Sequence, residues 1–383
     1  QHLLEIIYPH YLAPTPSMLV ARFQPDPAEG ALEEGFVVPR GSELRSVLGK
    51  GDQTPCEYRT AHDVTLWPIE LTEVQYFAGK EPVALLDLPD LAEVRAGIRL
   101  RLRTTLPGLT FDKLPLDRLT LFLHGSDELP VRVYEQLLAN AAMLVVRPGQ
   151  RPAPWHEVVA ARQIRRVGFG DEQALLPQTP PSFQGYRLLH EYFAFPQRYL
   201  FVELGGLGPA VRRCADAELE ILVLLNRANP HLENTLETEH FALFCAPAIN
   251  LFPKRADRIH LGEQVSEHHV VPDRTRPMDF EVYQVGEVTG FGADGEEQEF
   301  LPFYASYDRL RRHDRRAFYT VRRLPRLLSS QQKRAGPRSS YIGSEVFLSL
   351  VDADEAPYRA NLRQLAVGAL CTNRDLPLHM PIG

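Results

Sequence analysis

Thirty-two prolines among 383 residues limit what this chain can become, because each one removes a backbone donor and fixes its own φ. Pro9, Pro14 and Pro16 forbid a continuous helix near the start and favour an extended connector. Long helices are thereby disfavoured, and short strands linked by turns become the natural alternative. The segments MLVARF, FVVP, DVTLWPIEL and EVQYF all have strand character. GIRLRLRT has the clearest period: Ile98, Leu100 and Leu102 share one face while Arg99, Arg101 and Arg103 share the other. LTLFLHG, RYLFVEL and LEILVLLN follow as further strands, and FEVYQVGEV, EFLPFYA, AFYTVRRL and EVFLSLV continue the pattern. QLAVGAL is ambiguous between strand and buried helix.

Helical spacing is rarer. Tyr134, Leu137, Leu138 and Ala141 recur on one helical face, with Ser126 or Asp127 expected as the cap. Leu188, Leu189, Tyr192 and Phe193 form a second short apolar face, stopped by the Phe195-Pro196 dipeptide. The fold class expected is α+β and β-rich, with several domains built on short antiparallel or mixed sheets and a few packed helices. The expected division is a connector over residues 1–17, a first β-rich domain over 18–195 with a helical portion, and a second over 196–383. Residues 196–258 are a candidate subdomain of their own. Both ends read as cut from a longer chain, since QHLLEIIYPHYLAP resembles the tail of a helix and HMPIG closes no element.

Charge narrows the function. A net charge of −7 argues against general nucleic-acid binding. No run of about 18 apolar residues suggests a membrane span. Cys56, Cys214, Cys245 and Cys371 lie far apart with no CxxC pair, which reads as buried, reduced thiols.

The chemical motifs are weak. GFGADG, Gly290 to Gly295, has dinucleotide spacing, but the following EEQEF places carboxylates where phosphate would sit, so a hairpin turn is expected. His268 and His269 are neighbours on a strand and face opposite ways, which suits hydrogen-bonded histidines better than a metal site. No GxSxG elbow occurs, and acidic pairs such as Asp352 with Asp354 carry little weight alone. No catalytic residue, cofactor or metal ligand is therefore assigned.

Two charged stretches stand out instead. In VVPDRTRPMDFEVYQV, Pro272 and Pro277 bar Val270 to Pro277 from a central strand. Arg274 or Arg276 is expected to pair with Asp273, Asp279 or a neighbouring acid, forming a structural corner that sets the entry of the strand FEVYQV. In RLRRHDRRAFYTVRRLPR, Arg309, Arg311, Arg312, Arg315 and Arg316 crowd eight positions and form a candidate interface for an acidic protein partner.

Longer motifs carry a resemblance. YPHYLAPTPSM, GFVVPRG, CEYRTAHDVTLWPIEL, GYRLLHEYFAFPQRYLFVELGGL, INLFPKRADRIHL, VVPDRTRPMDFEVYQV and CTNRDLP occur in one order along the whole chain. With these the sequence resembles the TssF family, wedge subunits of the type VI secretion baseplate. The resemblance implies a non-enzymatic structural protein without cofactor, present in more than one copy per wedge. It also implies TssG-like, TssK-like and TssE-like partners around a spike hub, beneath the growing sheath and tube. Further implications are a cytoplasmic place at the inner-membrane-associated baseplate, no nucleic acid and no direct membrane insertion. The family's usual chain is longer at both ends. The alternative is a β-rich hydrolase, for example a carbohydrate-active enzyme with an unrecognised acidic site.

Overall fold

In a computed structural model, the described residues are Leu4 and 11–380, without 27, 29–31, 49–52, 85, 87, 89–90, 127, 178–182, 263–264, 294, 304–316, 328–333, 335–337 and 353–361. The α+β, β-rich class holds. Five sheets form the frame, and short helices fill the spaces between them.

The largest hydrophobic core lies against a five-stranded antiparallel sheet. Its strand order is Glu157–Ala160, Ala141–Pro148, Glu218–Leu225, Ala96–Thr104 and Ile69–Ala78. Ile98, Leu100 and Leu102 are completely buried, as the alternation predicts, and Leu219, Ile221 and Val223 join them from the neighbouring strand. A second sheet brings Ile164–Val167, Phe201–Leu204, Leu119–Leu123 and Phe241–Ala242 to the same core, where Leu121, Val202 and Leu204 are buried. Helix Leu129–Ala139 adds Val133 and Leu137. It begins after Glu128 with no side-chain cap; Pro130 occupies its first turn, so a missing donor there costs nothing. The Ser126 cap is thus corrected, and Asp127 lies outside the described residues.

A third sheet orders Met18–Arg22, Cys245–Ile249, Glu57–Thr60 and Glu43–Arg45, and a two-strand ribbon pairs Phe36–Val38 with Val64–Leu66. These pairings move the expected division of the chain. Phe201–Leu204 and Glu218–Leu225 are bonded to strands before residue 195, so 196–249 belongs with the first core.

The second core is carried by an eight-stranded sheet. Phe252–Arg255, Leu362–Thr372, Glu281–Gly292, Glu297–Pro302, Ala317–Pro325, Ser344–Asp352 and His268–Val270 lie side by side, and Ile259–His260 also pairs with Leu362–Thr372. Leu348, Leu365, Val288 and Cys371 fill its centre. QLAVGAL is therefore strand, and its ambiguity is settled by pairing on both sides. Glu297–Pro302 and Ala317–Pro325 run parallel, whereas the other pairings among the described residues of this sheet are antiparallel.

The two cores meet on a shared seam. Ala61, Leu175, Leu176, Ile249, Leu251 and Tyr283 pack together, and Cys56, Tyr58, Ala248 and Leu376 form a second small cluster. Two fully buried asparagines tie this seam. Asn250 Nδ2 donates to Asn373 Oδ1 at 2.8 Å and to the Glu57 carbonyl at 2.8 Å, while the Asn373 amide donates to Asn250 Oδ1 at 2.6 Å. A buried side-chain amide is costly unless satisfied, so the two residues specify one geometry for the seam.

Candidate functional site at the corner between the two cores

Beside the asparagine pair lies the segment flanked by Pro272 and Pro277. Asp273 Oδ1 accepts from the Thr275 amide at 2.9 Å, the Thr275 hydroxyl at 2.6 Å and the Arg276 amide at 3.2 Å. An aspartate bonding the backbone two and three residues ahead mimics a turn. The Thr275 hydroxyl, backed by those two amides and by Lys254 at 3.8 Å, holds the Asp273 carboxyl below its ordinary pKa. Asp273 is thus committed to its own loop.

The two guanidinium groups of the segment are bonded elsewhere than to Asp273 and Asp279. The Arg274 amide donates to Asp257 Oδ2 at 2.6 Å, and its guanidinium reaches the Arg258 carbonyl at 2.9 Å. The Arg276 guanidinium crosses to the first core, donating to the Gln53 carbonyl at 2.7 Å and to Thr54 Oγ1 at 3.1 Å. Thr54 passes its own proton to Asp279 Oδ2 at 2.7 Å. The other oxygen of Asp279 is met by Arg338 at 2.8 Å, which also forks onto Asp375 and donates to the Met278 carbonyl at 2.8 Å. These acids raise the Arg338 pKa; against the burial that opposes it, Arg338 and Ser339 in turn hold the Asp375 carboxyl below the carboxylate norm. Arg338 is the cation that sequence reasoning missed. It lies 59 positions from Asp279, and no local pattern points to it.

Deeper in, the buried Glu281 accepts from the Ser344 amide and hydroxyl, both at 2.6 Å, and from the Tyr341 hydroxyl at 2.7 Å. Arg323 donates to the carbonyls of Val282 and Tyr283 at 2.8 and 2.7 Å. Asp273, Asp279, Glu281 and Asp375 are each occupied by neighbouring donors. Such an arrangement fixes backbones.

The remaining sequence candidates resolve simply. Gly290 and Gly292 lie in a hairpin, where the Gly292 amide bonds the Glu296 carbonyl at 2.9 Å and Gly295 takes φ +79°. His268 is buried opposite Leu348, whereas His269 stacks on Phe347 at 4.8 Å, and burial lowers the pKa of both rings. Among the described residues, no three His, Cys, Asp or Glu side chains gather as a metal site. The four cysteines are buried and not joined in disulfides. Arg309, Arg311, Arg312, Arg315, Arg316 and Asp354 lie outside the described residues.

One element inverts its sequence expectation. Helix Gln184–Ala194 buries Arg187 and Glu191, while Leu189, Tyr192 and Phe193 face solvent. Glu191 is completely buried, and Oε1 accepts from the amides of Leu175 and Leu176 at 3.1 and 3.0 Å. Its other oxygen accepts from Arg187 at 3.1 Å and is paired with the fully buried Arg198. Arg187 reaches on to Asp171 at 3.0 Å. The charged face is drawn inward because Glu191 satisfies the Leu175 and Leu176 amides and pairs with both guanidinium groups at once.

Comparison with known proteins follows this geometry. The family profile described as "Type VI secretion system, TssF" matches residues 1–383. A curated relative from Pseudomonas aeruginosa PAO1, "Type VI secretion system component TssF1", is 56% identical over 384 residues, covering 100% of this chain and 61% of the relative. The chain thus spans about three-fifths of that protein's length. A solved chain from a cryo-electron microscopy structure of the "type VI secretion system TssK-TssF-TssG baseplate subcomplex" shares the fold, with a TM-score of 0.72 and 24% identity. The match covers 97% of this chain and 62% of the other.

Proposed function

Because the chain belongs to the TssF family of the type VI secretion system, we propose that it is a structural subunit of that system's baseplate, forming wedges with a TssG-type partner. The observation that carries this reading is the family match along the whole chain, joined to 56% identity with TssF1. The likeness in fold to a chain solved within a TssK–TssF–TssG assembly supports the same partners.

The internal chemistry agrees with a scaffold. Ionisable groups at the seam are held by neighbouring hydrogen-bond partners, and the two cores are pinned by Asn250 and Asn373. In this reading Asp273, Arg274, Arg276 and Asp279 form a structural corner. The turn closed by Asp273 and the bridge from Arg276 to Gln53 set the approach of strand Glu281–Gly292 to the first core. The protein works without a cofactor or catalysis, in the cytoplasm at the inner-membrane-associated baseplate. More than one copy joins each wedge, with TssK-like and TssE-like subunits and the spike hub as further neighbours.

Co-expression with TssG- and TssK-type subunits tests this. A stable complex on size exclusion is expected; separate elution of all three proteins refutes it. The arginine run is the proposed electrostatic contact. Reversing Arg309, Arg312 and Arg316 to Glu should weaken association most at low salt, where screening is least. Equal recovery at every salt concentration removes the run from the interface.

A further inference from the structure

We infer that the outward face of helix Gln184–Ala194 is a docking surface for an uncharged, apolar segment of a companion baseplate subunit. This rests on the baseplate reading above.

Phe183, Leu189, Tyr192 and Phe193 are 68%, 57%, 53% and 80% exposed on this one short element. With about 200 Å² per aromatic side chain, they offer on the order of 500 Å² of apolar surface. A monomer rarely leaves more than a few hundred Å² contiguous, and a standard interface takes roughly 800 Å² from each partner. The patch is smaller than one whole side and suits the apolar centre of such a contact.

Charge identifies the occupant. The exposed residues from 183 to 197 are Phe183, Gln184, Tyr186, Leu189, Tyr192, Phe193, Ala194, Pro196 and Gln197, and none is Asp, Glu, Lys or Arg. Every formally charged residue from 183 to 198 is buried: Arg187, Glu191 and Arg198. The half-buried His190 has its pKa lowered by burial, which disfavours a charge there. A nucleic acid finds no cation here, and a membrane-surface helix would show lysine or arginine on its polar face. An acidic or basic peptide gains nothing. The match is an apolar helix or strand whose contact residues are also uncharged, as in helix-in-groove recognition.

The surface is also held rigid. The buried carboxylate of Glu191, bonded to Leu175 and Leu176, prevents the helix from rolling its aromatics inward. A preordered face loses little conformational freedom on binding, which favours a specific contact.

The test uses the chain co-expressed with its TssG- and TssK-type subunits. Leu189→Glu combined with Phe193→Glu places charge on the face at two exposed positions, so the melting temperature should stay within about 2 °C of wild type. Affinity for the companion subunit should fall at least tenfold. Val131→Glu, at another exposed apolar position, should leave it unchanged. If wild type binds and the double variant binds equally well, the docking inference is overturned while the baseplate reading stands. If wild type binds neither companion, the baseplate reading itself fails. Light scattering of the chain alone adds a third arm. A wild-type dimer that the double variant abolishes, with companion binding intact, assigns the face to a second copy and overturns the inference.

Discussion

Replacing Glu191 should be among the most damaging single changes in the first half of the protein. Its carboxylate is fully buried, satisfies two backbone amides and faces Arg187 and Arg198. Burial already pushes the Arg198 pKa down to about 10, so the ion has little solvent to retreat to when its partner is lost. Glu191→Gln keeps an oxygen for the Leu175 and Leu176 amides and removes only the charge. Breaking a buried pair in this way costs about 3–5 kcal/mol. Arg187 keeps Asp171 as a second acid, which places the expected loss at the lower end of that range. Glu191→Ala also strands the two amides, each worth about 1–3 kcal/mol, and should be worse by at least 1 kcal/mol. Against a typical domain stability of 5–15 kcal/mol, the alanine variant should be close to unfolding. Urea titration followed by tryptophan fluorescence measures both. Adding Arg198→Met to Glu191→Gln should recover part of the loss, since the orphaned charge is gone. A glutamine variant within 1 kcal/mol of wild type, with no recovery in the double variant, would falsify the claim that this triad holds the helix.

Three further outcomes are expected. The His62 ring is pushed down to about 3, first by burial and then by Arg198 and Arg40. Its folded pKa lies below the unfolded value near 6.5, so the stability it lends is complete above pH 6.5 and drains away as pH falls toward 3. His62→Gln should flatten the pH dependence of unfolding across that window by up to about 1.4 kcal/mol per pH unit, and parallel curves would exclude the effect. Asn373→Ala removes bonds to Asn250 and to the Glu57 amide inside a buried seam and should cost roughly 2–4 kcal/mol. Separate unfolding of the two cores in calorimetry would accompany it; one unchanged transition counts against the seam. Arg276→Ala loses two bonds to neutral acceptors rather than an ion pair, so about 1–3 kcal/mol is expected. A loss above 4 kcal/mol in denaturant titration would mean the corner is electrostatic after all.

Much of the sheet structure could be read from residues alone, because burial on one face imposes a period of two. Ile98, Leu100 and Leu102 announce it, and the unbroken apolar run Ile221 to Leu225 announces a strand buried on both faces. The direction in which an element faces was harder to read. Leu188, Leu189, Tyr192 and Phe193 show a stripe, yet the stripe points outward because Glu191 answers amides 15 and 16 positions earlier. The strand pairing across residue 195 was hidden for a related reason. Phe195-Pro196 does end a helix, but Phe201–Leu204 pairs with Leu119–Leu123, and proline chemistry carries no information about that partner. At the corner, Asp273 and Asp279 stand out in the sequence, while Arg338 was invisible. Ion pairs across 59 residues leave no local trace.

The way the ends of the first body are stitched together has a consequence for biosynthesis. Met18–Arg22 is held by Cys245–Ile249, with Met18 opposite Ile249. At roughly 5–20 residues per second, the early strand leaves the ribosome about 10–50 s before the strand that will cover its edge has been made. Through that interval a nascent chain carries MLVAR with its ladder unfilled, open to pairing with any other passing edge. The waiting time is built into the topology, and it makes this protein a natural client for whatever shields unfinished sheets on the ribosome.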